Sequence, residues 1–162
     1  MEHHALEHIE ALYRARFHEF LRVATATTGS VELGRDAVQD AFVTAIRHHR
    51  RYRGEGPIEA WLWRVVVTSA LKARRSSNRA PAATAAHEER AEPPRDDLQH
   101  VREAVAGLPE RQRMVLFLRY YADLDYRTIA DVLGVRPGTV AAALNAAHRT
   151  LRGRVQEVLV CD

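Results

Sequence analysis

The chain has 162 residues, 46% of them hydrophobic and 28% charged, a balance that permits a packed core and excludes wholesale disorder. No window approaches the roughly 18 apolar residues of a membrane span, and the N-terminus lacks the basic start and apolar run of a secretory leader. A soluble protein is expected, and its single cysteine, Cys161, allows no internal disulfide and points to the cytoplasm.

The net charge of +3 is only mildly basic, but the charges are blocked. Arg47, His48, His49, Arg50, Arg51 and Arg53 form one basic run, and Lys72, Arg74, Arg75 and Arg79 form another. Glu88, Glu89, Glu92, Asp96 and Asp97 gather between the two halves. Such blocks suit a protein that meets nucleic acid with one part and avoids it with another, although a solvated helix face has the same composition.

In chain order, Leu6, Ile9, Leu12, Tyr13, Phe17, Phe20 and Leu21 recur at helical spacing, and Gly29-Ser30 ends the stripe. A second helix carries Val38, Ala41, Phe42, Ala45 and Ile46 and stops before Gly54-Glu55-Gly56-Pro57. A third carries Ile58, Trp61, Leu62, Val65 and Val66. The β-branched run Val65 to Thr68 is too short, and too well embedded in that stripe, to be a strand. Periodicity fades from Ser76 to about Pro94, where Ala, Pro, Ser and charges dominate as in a linker. Four short helices follow, on Leu98, Val101 and Val105; on Met114, Val115 and Leu118; on Tyr126, Ile129, Ala130 and Leu133; and on Val140, Leu144, Ala147 and Leu151. The expected architecture is all-α. A first domain over residues 1–76 and a second over 98–162 are joined by a flexible linker at 77–97.

The stretch from Asp125 to Leu144 has the spacing of a helix-turn-helix. Asp125 can cap the first helix, and Gly134 can take the positive φ that a helix C-terminus favours. Pro137 suits the first turn of the next helix. Val140 and Leu144 would face the core, leaving Arg136, Thr139, Asn145, His148, Arg149 and Arg152 as candidate DNA contacts. Asn reads adenine bidentately, and Arg reads guanine or grips phosphate. Arg119 and Arg127 could add phosphate contacts. An ordinary helical hairpin shares this spacing.

Leu108-Pro-Glu-Arg-Gln-Arg-Met-Val-Leu-Phe-Leu-Arg-Tyr-Tyr followed by the helix-turn-helix resembles region 4 of the RNA polymerase sigma factors. Asp36-Ala-Val-Gln-Asp-Ala-Phe-Val-Thr-Ala-Ile-Arg, with Tyr52-Arg-Gly and Ala60-Trp-Leu-Trp-Arg, resembles region 2 of the same family, in its small extracytoplasmic-function (ECF) type. The resemblance implies that Asp36, Gln39 and Asp40 meet the β′ clamp of core RNA polymerase, with Phe42 and Ile46 nearer the core. It implies that Tyr52, Arg53, Trp63, Arg64, Lys72, Arg74 and Arg75 hold the −10 element of promoter DNA. Arg127, Arg136, Thr139, Asn145, His148 and Arg149 would serve the −35 element, with region 4 on the β flap. Of the two tryptophans, Trp61 is expected in the core and Trp63 in a more exposed position. An acidic linker would keep the tether off DNA, and an anti-sigma protein is the expected inhibitor.

Three departures stand out. Ala141-Ala-Ala occupies the recognition helix, where the family carries polar residues, which predicts weak −35 recognition or a shift onto Arg136 and Asn145 to Arg149. Val67-Thr68 replaces an Arg-Asn pair tied to −10 contact. Ile46 replaces a frequent Trp. An alternative is a helix-turn-helix regulator of LuxR-like type that never joins the polymerase; it would bind an operator unaided, as a dimer. An enzyme or metal protein is not expected. His3, His4 and His8 sit at the terminus, adjacent His48 and His49 diverge around a helix, and no catalytic or phosphate-binding motif appears. No cofactor is implied.

Overall fold

The structure is a computed structural model that describes residues 2–52, 56–79 and 99–160. All regular elements among them are helical: α1 Glu2–Thr28, α2 Val31–Arg47, a single 3-10 turn at His49–Arg51, α3 Ile58–Arg79, α4 Gln99–Ala106, α5 Glu110–Tyr120, α6 Tyr126–Leu133 and α7 Pro137–Val160. The boundaries have local causes. Gly29, at φ 80°, turns the chain out of α1, and the Ser30 side chain then accepts from the Leu33 N–H to cap α2. Asp125 does the same for Thr128 in α6 at 2.7 Å, and Gly134, at φ 65°, closes that helix in the left-handed conformation. α3 runs to Arg79, a little past the Ser76 at which the apolar pattern fades.

In the first unit α1, α2 and α3 pack together. Phe20, Val23, Val38, Ala41, Leu62, Trp63 and Val66 are fully enclosed there. Trp63 lies against Phe20 with ring centroids 4.3 Å apart, and Phe20 meets Phe42 edge-on at 5.3 Å. α1 bends at Arg16, whose backbone leaves the helical region at φ −126°, ψ 20°. At Gly34, α2 comes so near α1 that a Cβ would lie 2.8 Å from the Thr25 nitrogen. Absence of a side chain is what permits this crossing.

In the second unit α4 and α6 pack on α7, and α5 lies against both α6 and α7. Ile129, Ala130, Val140 and Leu144 are buried at the helix-turn-helix, as expected from their spacing. The two units are not merely strung together. α5 packs on α1 and α6 on α3, and the buried residues of both merge into one apolar cluster.

Two sequence expectations fail in the first unit. Trp63 is wholly buried and Trp61 only partly so, the reverse of the assignment made from the stripe. Ile46 is 52% exposed and does not fill the core, although Phe42 does. The buried side of α3 is Leu62, Trp63, Val66, Val67 and Ala70. Helical geometry places Thr68 and Lys72 on the other side of that stripe, a turn or more beyond Trp61 and Arg64.

Candidate nucleic-acid and polymerase interfaces

The outer side of α2 carries Asp36, Gln39, Asp40 and Val43, all exposed, while Ala37, Val38, Ala41, Phe42 and Ala45 fill the core. Spacings of three and four residues set the outer group in a single strip. Val43, 45% exposed, and Ile46 add apolar surface to it. The strip is therefore acidic with a greasy margin, chemistry suited to a partner helix with basic and apolar side chains. The sequence singled out Asp36, Gln39 and Asp40 but put Ile46 inside; Val43 it passed over.

A second surface forms where the 3-10 turn meets α3. Tyr52 is half-buried, donates its hydroxyl to the Gly56 carbonyl at 2.5 Å, and stands 5.9 Å from Trp61, centroid to centroid. The partly exposed pair can offer aromatic surface to an unstacked base. Trp63 cannot, because it is fully buried against Phe20, so its expected place on a DNA-facing surface is corrected; of the two tryptophans only Trp61 keeps exposed surface. Arg53 lies outside the described residues, as do Gly54, Glu55, the acidic block and Cys161. Down α3, Arg64, Thr68, Lys72 and Arg75 are exposed, and the Thr68 hydroxyl turns back to the Arg64 carbonyl at 2.7 Å. Arg74 is half-buried and paired with Glu110 at 2.5 Å.

The third surface is α7 with the turn before it. Arg127, Arg136, Asn145, Arg149 and Arg152 are exposed, and Thr139 is partly covered. Gly138 and Ala142 are also exposed, so the outward strip begins with residues that cannot hydrogen-bond through a side chain and becomes polar at Asn145. His148 is less free than its position suggests, because its Nε2 lies 3.0 Å from the Tyr120 hydroxyl. Arg119 is held near the Asp123 carboxylate and the Leu124 carbonyl, each at 3.4 Å. The Asp125 carboxyl titrates below the usual carboxylate range, chiefly because the Thr128 backbone N–H donates to its ionised form.

Among the described residues no group of three or more His, Cys, Asp or Glu side chains could hold a metal ion, and no helix is long and apolar enough to cross a membrane.

A three-helix unit with an acidic outer helix and a basic aromatic corner, followed by a four-helix unit with a helix-turn-helix, is the architecture of a two-region initiation factor, and the comparisons agree. The family described as Sigma-70 region 2 matches residues 12–80, and the one described as Sigma-70, region 4 matches residues 98–151. The ECF RNA polymerase sigma factor SigM of Mycobacterium tuberculosis is 31% identical over 151 residues, spanning 88% of this chain and 74% of that one. The RNA polymerase sigma factor YlaC of Bacillus subtilis is 26% identical over 155 residues, 89% of this chain and 90% of its own. Among solved structures, the sigma factor RpoE of Bartonella quintana, crystallised with the anti-sigma factor NepR, has the same fold. Its TM-score is 0.73 at 18% identity, over 91% of this chain and 96% of that one. The chain belongs to the ECF family of RNA polymerase sigma factors, which direct transcription initiation.

Proposed function

We propose that this sigma factor binds core RNA polymerase through the outer strip of α2, with Asp36, Gln39 and Asp40 against the β′ clamp. The observation that carries this reading is the division of α2, apolar inside and acidic with an apolar margin outside. A carboxylate strip of this kind gives orientation and partner choice more than raw affinity.

Promoter DNA is then held at two places. At the −10 element, extruding a base costs a few kcal/mol, which a stacking surface and nearby cations can offset. Tyr52 and Trp61 supply the surface; Arg53, Arg64, Lys72, Arg74 and Arg75 supply the cations. At the −35 element α7 enters the major groove, with Asn145 reading base edges and Arg127, Arg136 and Arg149 on phosphate. Thr139 and His148 flank that surface. Ala142, where the family carries polar residues, can touch a thymine methyl but makes no hydrogen bond, so −35 recognition rests on Arg136 and the Asn145 to Arg149 segment. Region 4 docks on the β flap, and an anti-sigma protein holds the factor inactive by covering these faces. The protein works in the cytoplasm, where polymerase and promoter are, and needs no cofactor.

Comigration of the purified chain with bacterial core RNA polymerase on a sizing column tests the reading. The wild type is expected to comigrate, and Asp36→Arg/Asp40→Arg to elute alone while keeping its helical circular dichroism. Wild-type protein that fails to comigrate, with no anti-sigma partner present, would refute it.

A further inference from the structure

One hydrogen bond at the rim of the helix-turn-helix joins two groups that can each donate or accept. The Tyr120 hydroxyl, at the end of α5, lies 3.0 Å from Nε2 of His148 in α7, and the two rings stand 5.9 Å apart, centre to centre. Tyr120 is 62% exposed and His148 half-buried, so the pair is open to solvent where the two helices meet. It also borders the DNA-facing strip. His148 lies three residues after Asn145, next to Arg149 and one turn before Arg152, all three exposed.

The bond can be made in two directions. A neutral imidazole has one acceptor nitrogen, and with the acceptor at Nε2 the tyrosine hydroxyl commits its proton to the ring. A charged imidazole carries a proton on both nitrogens. Nε2 then donates, the hydroxyl oxygen accepts, and the tyrosine proton is free for a second acceptor. One proton taken up at the ring thus adds a positive charge and frees a further donor.

Nothing within the protein pairs with that charge. Three helices pack on α7. α5 brings Tyr120 and, one residue earlier, Arg119, whose guanidinium is held by the Asp123 carboxylate and the Leu124 carbonyl. The other charges of α5, Glu110, Arg111 and Arg113, lie about two turns or more from Tyr120. α6 brings Tyr126, Arg127 and Asp131, and α4 brings His100, Arg102 and Glu103. Among the described residues only Tyr120 is bonded to the imidazole, and its neighbours Arg149 and Arg152 are cations. The charged pair therefore suits an anion from outside, and on this face that anion is a DNA phosphate. A phosphate beside the ring favours the charged form, so DNA binding and proton uptake reinforce each other.

We propose that Tyr120 and His148 act together as a proton-linked contact to the DNA backbone: His148 takes up a proton as DNA binds, and Tyr120, accepting from the ring, donates its own hydroxyl proton to a phosphate oxygen. This rests on the reading of α7 as the DNA-facing helix and adds to it a contact from α5. Linkage fixes the sign. Binding that takes up a proton tightens as pH falls through the imidazole range, about pH 8 to 5, and loses this part above it.

The test measures binding of the full chain to a short fluorescent duplex of mixed sequence by anisotropy, since a backbone contact carries no sequence requirement. Between about pH 8 and about pH 6 the wild type should gain about three- to fivefold more affinity than His148→Gln, the size of one exposed charge contact. His148→Arg, charged throughout, should also lack this gain and should bind more tightly than His148→Gln at every pH. Two substitutions at a half-buried position keep the comparison if one of them fails to fold, as helical circular dichroism will report. Tyr120→Phe keeps the ring and loses the hydroxyl, so its gain should fall to about twofold or less. Titration calorimetry in two buffers of different ionisation enthalpy should record proton uptake on binding by the wild type, and less by His148→Gln. A wild-type profile no steeper than those of the His148 variants overturns the proton link. A Tyr120→Phe profile equal to wild type overturns the part given to Tyr120. Arg149→Ala separates these results from the reading beneath them. If it binds the duplex as wild type does, α7 does not face DNA and both readings fall; if it binds more weakly while the pH profiles coincide, the proton link alone falls.

Discussion

Replacing Gly34 by alanine sets two known effects against each other, and the structure decides the sign. In a helix interior, alanine is favoured over glycine by about 0.5–1 kcal/mol. Here the new Cβ would stand 2.7 Å from the Thr25 Oγ1, 2.8 Å from its nitrogen and 2.9 Å from its Cα. Carbon atoms pack comfortably at about 3.5–4.0 Å, and two of those three neighbours are backbone, so α1 itself must retreat. Overpacking of this kind costs about 1–3 kcal/mol. The net expectation is a loss of about 0.5–2 kcal/mol, which lowers Tm by roughly 2–6 °C for a chain of this size. Thermal melts followed by far-ultraviolet circular dichroism measure it. Gly153→Ala is the control, since Gly153 lies within α7 with nothing within 4 Å of the added carbon; its Tm should rise by a degree or more, about 0.5–1 kcal/mol. A Gly34→Ala protein that melts at or above wild type would show that α1 and α2 do not cross as described.

The tryptophans should behave differently: Trp63→Ala should cost about 3–5 kcal/mol in denaturant unfolding, whereas Trp61→Ala, at a partly exposed ring on the edge of the core, should cost less and weaken binding to a single-stranded −10 probe. Arg149→Ala should lower DNA affinity about evenly across sequences and reduce the salt slope of binding by about 1, while Asn145→Ala should relax base preference at one position, both read by gel shift over a salt series. Asp125 titrates lower in the fold than unfolded, so its cap is fully effective above the unfolded value of about 3.9 and is lost as pH falls through the lower folded value. Acid titration followed at the Thr128 amide by NMR should show α6 loosening in that window, and Asp125→Asn, which can cap without ionising, should flatten the response.

Much of the fold was legible because its signals are local. The Asp125 cap, the left-handed Gly134 and Pro137 at the start of α7 are each dictated within a few residues. The strip on α2 was legible for the same reason. The phase of α3 was misread because its first turns are apolar nearly all round: Ile58, Trp61, Leu62, Trp63, Val65, Val66 and Val67 serve either face. Thr68, Ser69 and Lys72 continue the Trp61 side, whereas Ala70 and Leu71 continue that of Trp63, so a longer window would have oriented the helix correctly. Ile46 could not have been placed this way, since spacing alone does not distinguish a core residue at a helix end from an exposed one. The packing of the second unit on the first was the least legible feature, because contacts such as Arg113 to the Ala26 carbonyl and Arg64 to the Asp131 carbonyl leave no trace in residue pattern.

Both tryptophans fall in the first unit, at Trp61 and Trp63, while the second unit's aromatic residues are Phe117, Tyr120, Tyr121 and Tyr126. Trp63 is also optically distinctive: it is fully enclosed, and its indole N–H meets no acceptor among the described residues. Its emission should therefore be blue-shifted and blind to quenchers in solution. Tryptophan emission, excited selectively, thus follows the first unit alone, and any disagreement between it and a helix signal during unfolding measures how far the two units melt independently.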